Sequence, residues 1–233
     1  MTVGSVLAIG GHPDDVELGC GAAMLAHRAM GQRTSVLVMT AGEQSHSGSA
    51  PRKAEQQAAA STLGAELYWG GFTDCEVPAD RRAIDKIEEV IAAVGPDVVY
   101  VHAPDDTHQD HRTVSAAAVS AARRQCRILF YATPSTLRFE PTVFVDAERY
   151  LEGKLSALAC HESQVNRESI RLDAVSATAR HWGAVARIHL AEAFVPVRFV
   201  WDVGAPGPPD LAGDFEARAA DFVRHEPSRL YAE

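Results

Sequence analysis

Strand-length apolar runs that alternate with helix-length amphipathic segments constrain this chain more than anything else in it. Residues 5–9 (SVLAI) and 34–40 (TSVLVMT) read as buried β-strands, and 65–71 (AELYWGG) and 97–102 (DVVYVH) as a third and fourth. Between them, Val16, Gly19, Cys20, Ala23, Met24 and His27 fall at helical spacing over 16–30. A second helix runs from about Pro51, with Ala54, Ala58 and Leu63 on its apolar face and Gly64 as its stop. A third spans 81–94, with Ile84, Ile87, Val90 and Ile91 turned inward, and ends at Gly95-Pro96. Regular strand–helix alternation predicts an α/β fold with a mainly parallel sheet and helices on both faces. Further on, 112–124, 150–160 and 168–186 read as helices and 128–132 and 142–145 as strands. Residues 193–201 are strand-like, with Pro196 marking an edge or a bulge. From Gly204 the chain is rich in Gly and Pro. We expect one domain over 1–233, with residues from about 204 as an appendage ending in a short helix near 215–223.

Composition narrows the function. At 233 residues and 46% hydrophobic, the chain can bury a sizeable core. A formal net charge of −9 argues against a nucleic-acid partner, although a local arginine could still bind a small anion. Cys20, Cys75, Cys126 and Cys160 are far apart and form no Cys-x-x-Cys pair. They read as reduced, mostly buried thiols of a cytoplasmic protein. No basic, signal-like N-terminus is present, and no run approaches the ~20 apolar residues of a membrane span. We therefore expect a soluble, cytoplasmic protein without a membrane partner; homo-oligomerisation stays open.

The chemistry sits where strands end. After the first strand come His12, Pro13, Asp14 and Asp15; after the fourth, His102 is followed by His108, Asp110 and His111. Loops after parallel strands converge at one sheet edge, where open α/β sheets bind ligands. Two residues of the first loop and one histidine of the second would give a His/Asp/His metal set with an open position for water. The remaining carboxylate would serve as base. Spacing alone does not decide which aspartate is which. A capped polar turn would explain one aspartate. Two adjacent carboxylates repel unless a cation or donors compensate. His102 reads better as a structural or pocket-lining residue. Glu43 could be an outer acceptor and Arg52 could bind a polar substrate group, but solvated loop and helix-start positions explain both. His161, Trp69 and Trp182 have equally plain structural readings. Residues 41–51 lack the ending of a P-loop, and the glycines lack dinucleotide-site spacing.

The stretch Gly11-His12-Pro13-Asp14-Asp15-Val16-Glu17-Leu18-Gly19-Cys20-Gly21 resembles the signature of the LmbE-like, PIG-L family of zinc-dependent N-acetylglucosaminyl de-N-acetylases. Thr40-Ala41-Gly42-Glu43, Arg52-Lys53-Ala54-Glu55 and His108-Gln109-Asp110-His111-Arg112 match further family segments in order. Lys154, His161-Glu162-Ser163-Gln164 and Ala191-Glu192-Ala193-Phe194 match more weakly. Gln109 stands where many members carry proline. The resemblance covers about residues 5–200 and implies a Rossmann-like fold with the site at the C-terminal strand ends. It implies zinc on His12, Asp15 and His111, with ferrous iron an alternative, and Asp14 as general base. His108 would stabilise the oxyanion or act as acid, Asp110 would orient a histidine, and Arg52, with Glu43 nearby, would contact substrate.

The implied reaction is hydrolysis of the N-acetyl group of an N-acetylglucosamine-type sugar or conjugate, giving acetate and a free amine. High Ala and Arg with little Lys suggests a GC-rich genome and, by association, a small-thiol or natural-product setting. The competing readings are a zinc amidase acting on a thiol conjugate, a metal-dependent phosphoesterase and a non-catalytic sugar-binding module.

Overall fold

The computed structural model of the chain describes residues 4–45, 48–125 and 127–200. The alternation holds through the first half: β1 (Ser5–Gly10), α1 (Asp15–Ala29), β2 (Arg33–Thr40), α2 (Ser49–Leu63), β3 (Glu66–Phe72), α3 (Arg81–Val94), β4 (Val98–His102), α4 (Gln109–Ala121) and β5 (Arg127–Tyr131). Then follow β6 (Val143–Asp146), α5 (Leu151–Ala159), α6 (Glu162–Val165), α7 (Leu172–Ala186) and β7 (Ala191–Phe199). One seven-stranded sheet has the order β3-β2-β1-β4-β5-β7-β6. Its first five strands are parallel, and β7 runs antiparallel to both neighbours. The strand order reverses between β1 and β4, which is where a doubly wound sheet opens a crevice.

Both faces of the sheet are covered. Leu7, Ile9, Leu37, Val99 and Val101 pack under α3 and α4; Val6, Ala8, Val36, Tyr100 and Leu129 pack against Val16, Cys20 and Met24 of α1. This explains why the central strands carry apolar side chains on both sides.

Two helix starts differ from the sequence reading. Helix α4 begins at Gln109 instead of 112, because the His108 ring caps it by accepting the Asp110 N–H at 3.2 Å. Asp110 and His111 are thereby helical. The helix expected over 168–186 starts only at Leu172, since Glu168 has a left-handed φ of 58°. Strand β7 is interior, yet Pro196 falls at a register shift opposite Ile128 and Leu129 and beyond the reach of β6. Of the described cysteines only Cys20 is buried; Cys75 is exposed and Cys160 half-buried. Cys126, Trp201 and the tail from 204, with its expected helix, lie outside the described residues.

Helix α1 is broken at Cys20, whose φ of −145° and ψ of 22° are not helical. Gly19 lets Tyr131 pack on its backbone; a Cβ there would lie 2.0 Å from the ring. A buried ion pair bridges the break. Lys154 Nζ donates to Leu18 O at 2.7 Å and to Glu192 Oε1 at 2.6 Å. Glu192 in turn accepts the N–H groups of Ala22 and Ala23 at 2.9 and 2.7 Å. The lysine thus ends the first turn of α1, and the glutamate starts the remainder. Lys154→Met leaves Glu192 buried without its partner. We expect a loss of about 3–5 kcal/mol in urea unfolding, partly recovered in the double variant with Glu192→Gln.

Candidate metal centre and active site

The loop after β1 delivers His12, Asp14 and Asp15 to the crevice, and the loop after β4 with the first turn of α4 delivers Asp106, His108, Asp110 and His111. Asp15 organises them. Its Oδ2 accepts the His12 N–H at 2.7 Å and lies 3.3 Å from His12 Nδ1, 3.3 Å from His111 Nε2 and 3.2 Å from His102 Nε2. Gly11 runs under this group; a Cβ there would meet the His111 ring at 3.2 Å and Asp15 Oδ2 at 3.4 Å.

Donor geometry tests whether a metal fits. His12 Nδ1, Asp15 Oδ2 and His111 Nε2 form a triangle with edges of 3.2, 3.3 and 3.3 Å. Tetrahedral zinc, with bonds of about 2.0–2.1 Å, spaces its ligand atoms about 3.3–3.4 Å apart. The triangle therefore fits a divalent ion at the level of its own edges. His102 does not compete, because its Nε2 accepts the Gly11 N–H at 3.0 Å and has no second lone pair. Burial drives its pKa down to about 4, so it stays neutral. His108 is likewise committed: its Nδ1 accepts the Asp110 N–H, which leaves the proton on Nε2.

The far nitrogen of each imidazole in the triangle meets acids. His12 Nε2 lies 3.2 Å from Asp110 Oδ2 and 3.0 Å from Asp74 Oδ1. His111 Nδ1 lies 3.2 Å from both Asp106 Oδ2 and Ser135 Oγ. This carboxylate–histidine arrangement is the usual support of a metal ligand. Burial opposes protonation of His12, but Asp110, Asp15 and Asp74 outweigh it and raise its pKa well above the ordinary range. Burial of Asp15 is likewise overcome, here chiefly by His111, which keeps the carboxyl well below its usual pKa.

Asp14 faces elsewhere. Its backbone is left-handed, with φ 97° and ψ −24°. Its N–H is accepted by Gln56 Oε1 at 3.1 Å, and its Oδ2 accepts from Arg52 Nη2 at 2.8 Å. The same Nη2 also donates to Pro13 O. Burial pushes the Asp14 carboxyl up to about 6, with Arg52 opposing and Asp15 reinforcing. Gln56 is itself held by Glu17 Oε1 at 2.8 Å, and His161 Nε2 lies 3.6 Å from Glu17 Oε2. His161 is thus a buried partner of Glu17 behind the site. Arg52 is buried on Asp14 and Pro13.

Glu43 and Asp110 brace loops. Glu43 accepts the N–H groups of Asp74 and Ala41 at 2.9 and 3.2 Å, which fixes the 72–80 loop and so Asp74 on His12. Asp110 accepts the Cys75 and Val77 N–H groups at 2.7 and 3.2 Å. His108 is half-buried beside His12 and His111, with ring centroids 4.5 and 4.7 Å away. Burial and those two neighbours lower its pKa, which leaves a neutral ring with an Nε2–H donor. Sequence reasoning missed Asp74, Asp106, Gln56 and Ser135. Only Asp106 carried a signal, standing in the same acidic, histidine-rich loop as His108.

Fold and cluster together define a doubly wound α/β domain with a donor set for one divalent metal at its strand ends. A family model described as PIG-L, GlcNAc-PI de-N-acetylase, matches residues 7–122. The uncharacterized deacetylase YaiS of Escherichia coli strain K12 is 38% identical over 167 residues, 68% of this chain and 90% of that protein. The diacetylchitobiose deacetylase of Thermococcus kodakarensis is 26% identical over 188 residues, 70% of each chain. The crystal structure of the conserved protein TT1542 from Thermus thermophilus matches with a TM-score of 0.77 and 27% identity, over 85% of this chain and 96% of that one. The chain belongs to the PIG-L, LmbE-like family.

Gln56 is the bracket between Asp14 and Glu17. Gln56→Leu leaves a backbone donor and a carboxylate oxygen without partners in a buried setting. We expect about 2 kcal/mol or more of lost stability in urea unfolding, at the usual cost of an unsatisfied buried polar group.

Proposed function

We propose that this protein is a divalent-metal-dependent de-N-acetylase that hydrolyses the N-acetyl group of an N-acetylglucosamine-type amino sugar or its conjugate. The observation that carries the reading is the His12–Asp15–His111 triangle with edges that suit one tetrahedral ion. Membership of the family and the sugar deacetylase among the relatives support the substrate class. We assign a zinc or ferrous ion to those three residues and a cytoplasmic setting to the enzyme.

The ion would supply Lewis acidity to the acyl carbonyl and lower the pKa of the attacking water towards ~7. Asp14 takes the water's proton. It adjoins the ligand Asp15 in sequence without joining the triangle, and a pKa near 6 leaves it ionised yet basic at neutral pH. Arg52 and Gln56 orient it, so we read Arg52 as positioning the base more than as contacting substrate. As water oxygen bonds to the acyl carbon, negative charge moves to the carbonyl oxygen. The His108 Nε2–H donates to that oxyanion. Asp14 then returns its proton to the sugar nitrogen, the C–N bond breaks, and acetate and the amine leave. Asp110 acts through His12 by holding its far nitrogen, and Glu43 acts through Asp74.

Amine release from N-acetylglucosamine, diacetylchitobiose and N-acetylglucosamine conjugates, with and without chelator, tests the reading. Phosphate release from phosphoesters, or cleavage only of amide-linked thiol conjugates, would replace it. Asp14→Asn suits the left-handed backbone, which asparagine tolerates. It should retain the ion and lose about 10²–10⁴ in kcat; wild-type turnover would remove Asp14 as base. Asp106→Asn should weaken metal affinity about 10–100-fold in chelator competition, because it removes the carboxylate charge behind His111.

A further inference from the structure

A cavity of about 500 Å³ lies beside the proposed centre and is used by none of the residues assigned above. Its size is that of a small-molecule site. It opens at the same sheet edge. Thr133 and Pro134 follow the C-terminal end of β5, and Ala191–Ala193 begin the antiparallel strand β7 next to it. Leu18 forms part of the wall and is one helical turn from Asp14, whose carbonyl accepts the Leu18 N–H at 2.9 Å. On the other flank, the Thr133 and Thr136 hydroxyls donate to Asp106 Oδ2, which itself backs His111.

The lining is apolar where it is deep. Helix α7 contributes Val175, Ala179 and Trp182, and Trp182 meets Phe139 edge-on at a centroid distance of 6.0 Å. The buried charges at the floor, Lys154 and Glu192, are spent on each other and on α1. Glu168 and Arg171 are exposed at the rim. An occupant therefore meets hydrocarbon and aromatic rings and no uncompensated buried charge. A charged or fully hydroxylated group would lose hydration there without replacement.

We propose that this cavity is a subsite for an uncharged apolar group carried by the substrate, so that the preferred substrate is an amphiphilic amino sugar and not free N-acetylglucosamine. The proposal rests on the de-N-acylase reading above. The apolar group is either the aglycone or the acyl chain, and the same chemistry would recognise both.

The test compares kcat/KM for methyl and octyl glycosides of N-acetylglucosamine, and for N-acetyl- and N-octanoylglucosamine, all below micelle-forming concentrations. Each buried methylene contributes about 0.8 kcal/mol, or about fourfold. At least a tenfold preference for one octyl compound is expected, and the arm that shows it names the source. Ala179→Trp fills the cavity and should collapse the octyl-to-short ratio towards one; Trp182→Ala, which cannot overpack, should reduce the same ratio. Calorimetric titration with octyl β-glucoside reads binding without turnover. Binding that Ala179→Trp abolishes, with no compound hydrolysed, keeps the apolar subsite and removes the de-N-acylase reading. Hydrolysis of N-acetylglucosamine with neither octyl preference nor octyl glucoside binding overturns the proposal and leaves that reading intact. The cavity would then belong to another occupant, such as a second copy of the chain.

Discussion

One carboxylate oxygen holds the centre of this structure together. Asp15 Oδ2 closes the turn after β1 by accepting the His12 N–H, and it stands within 3.3 Å of imidazole nitrogens from His12, His102 and His111. Those histidines come from three separate pieces of chain: the β1 turn, the end of β4 and the first turn of α4. They converge because the order reverses between β1 and β4, so consecutive loops open into a single crevice. Asp14 cannot join them. A left-handed residue before the helix turns its side chain towards Arg52, and two adjacent carboxylates that would otherwise repel gain separate partners. That backbone is strained for any residue but glycine, asparagine or aspartate. Strain of this kind is kept where surrounding contacts over-determine it, and here Gln56 and Arg52 do so from α2.

The same division continues along α1. Its first turn belongs to the centre and the remainder to the scaffold, and the break at Cys20 separates them. An unbroken helix would tie the direction of Asp15 to the packing of Met24 on the sheet. The Lys154–Glu192 pair instead restores hydrogen bonds on both sides of the break and fixes the first turn from α5 and β7. The strands beyond β5, which a minimal doubly wound sheet does not need, thus hold part of the site in place.

Much of this is legible in the sequence. Apolar runs 5–9 and 34–40 are readable because parallel strands are buried on both faces, and Gly64 and Gly95 end their helices as read, both with left-handed φ. His12, Asp14, Asp15, His108, Asp110 and His111 stand out because charged groups rarely follow a buried strand in such density. Which of Asp14 and Asp15 joins the histidines is not readable from spacing. It depends on one φ angle and on Arg52, 38 residues away. Asp74 and Gln56 give no local signal, since their roles arise only when α2 and the 72–80 loop close over β1. The start of α4 escapes a sequence reading because a histidine cap, His108, is not among the usual capping residues.

The buried polar load around the centre is what the rest of the fold must carry. Asp15, Asp74, Asp106, Asp110, Arg52, His12, His102, His111, Glu17 and His161 are all buried. Such groups destabilise a protein unless paired. Nearly every one has a partner within hydrogen-bond reach; the exceptions are Glu17 Oε2, Arg52 Nε, His102 Nδ1 and both ring nitrogens of His161. All of these lie within one or two residues' contact of Asp14 or Asp15. A fold selected for stability alone would replace them with hydrocarbon of similar volume. Local rules give way at functional positions first. Among the described residues, five of the seven buried side-chain polar atoms without a hydrogen-bond partner, Ser45 Oγ and Ser115 Oγ being the other two, lie around two adjacent aspartates, beneath a sheet otherwise packed with Val, Ile and Leu; this is a physical argument for the centre that stands apart from any resemblance.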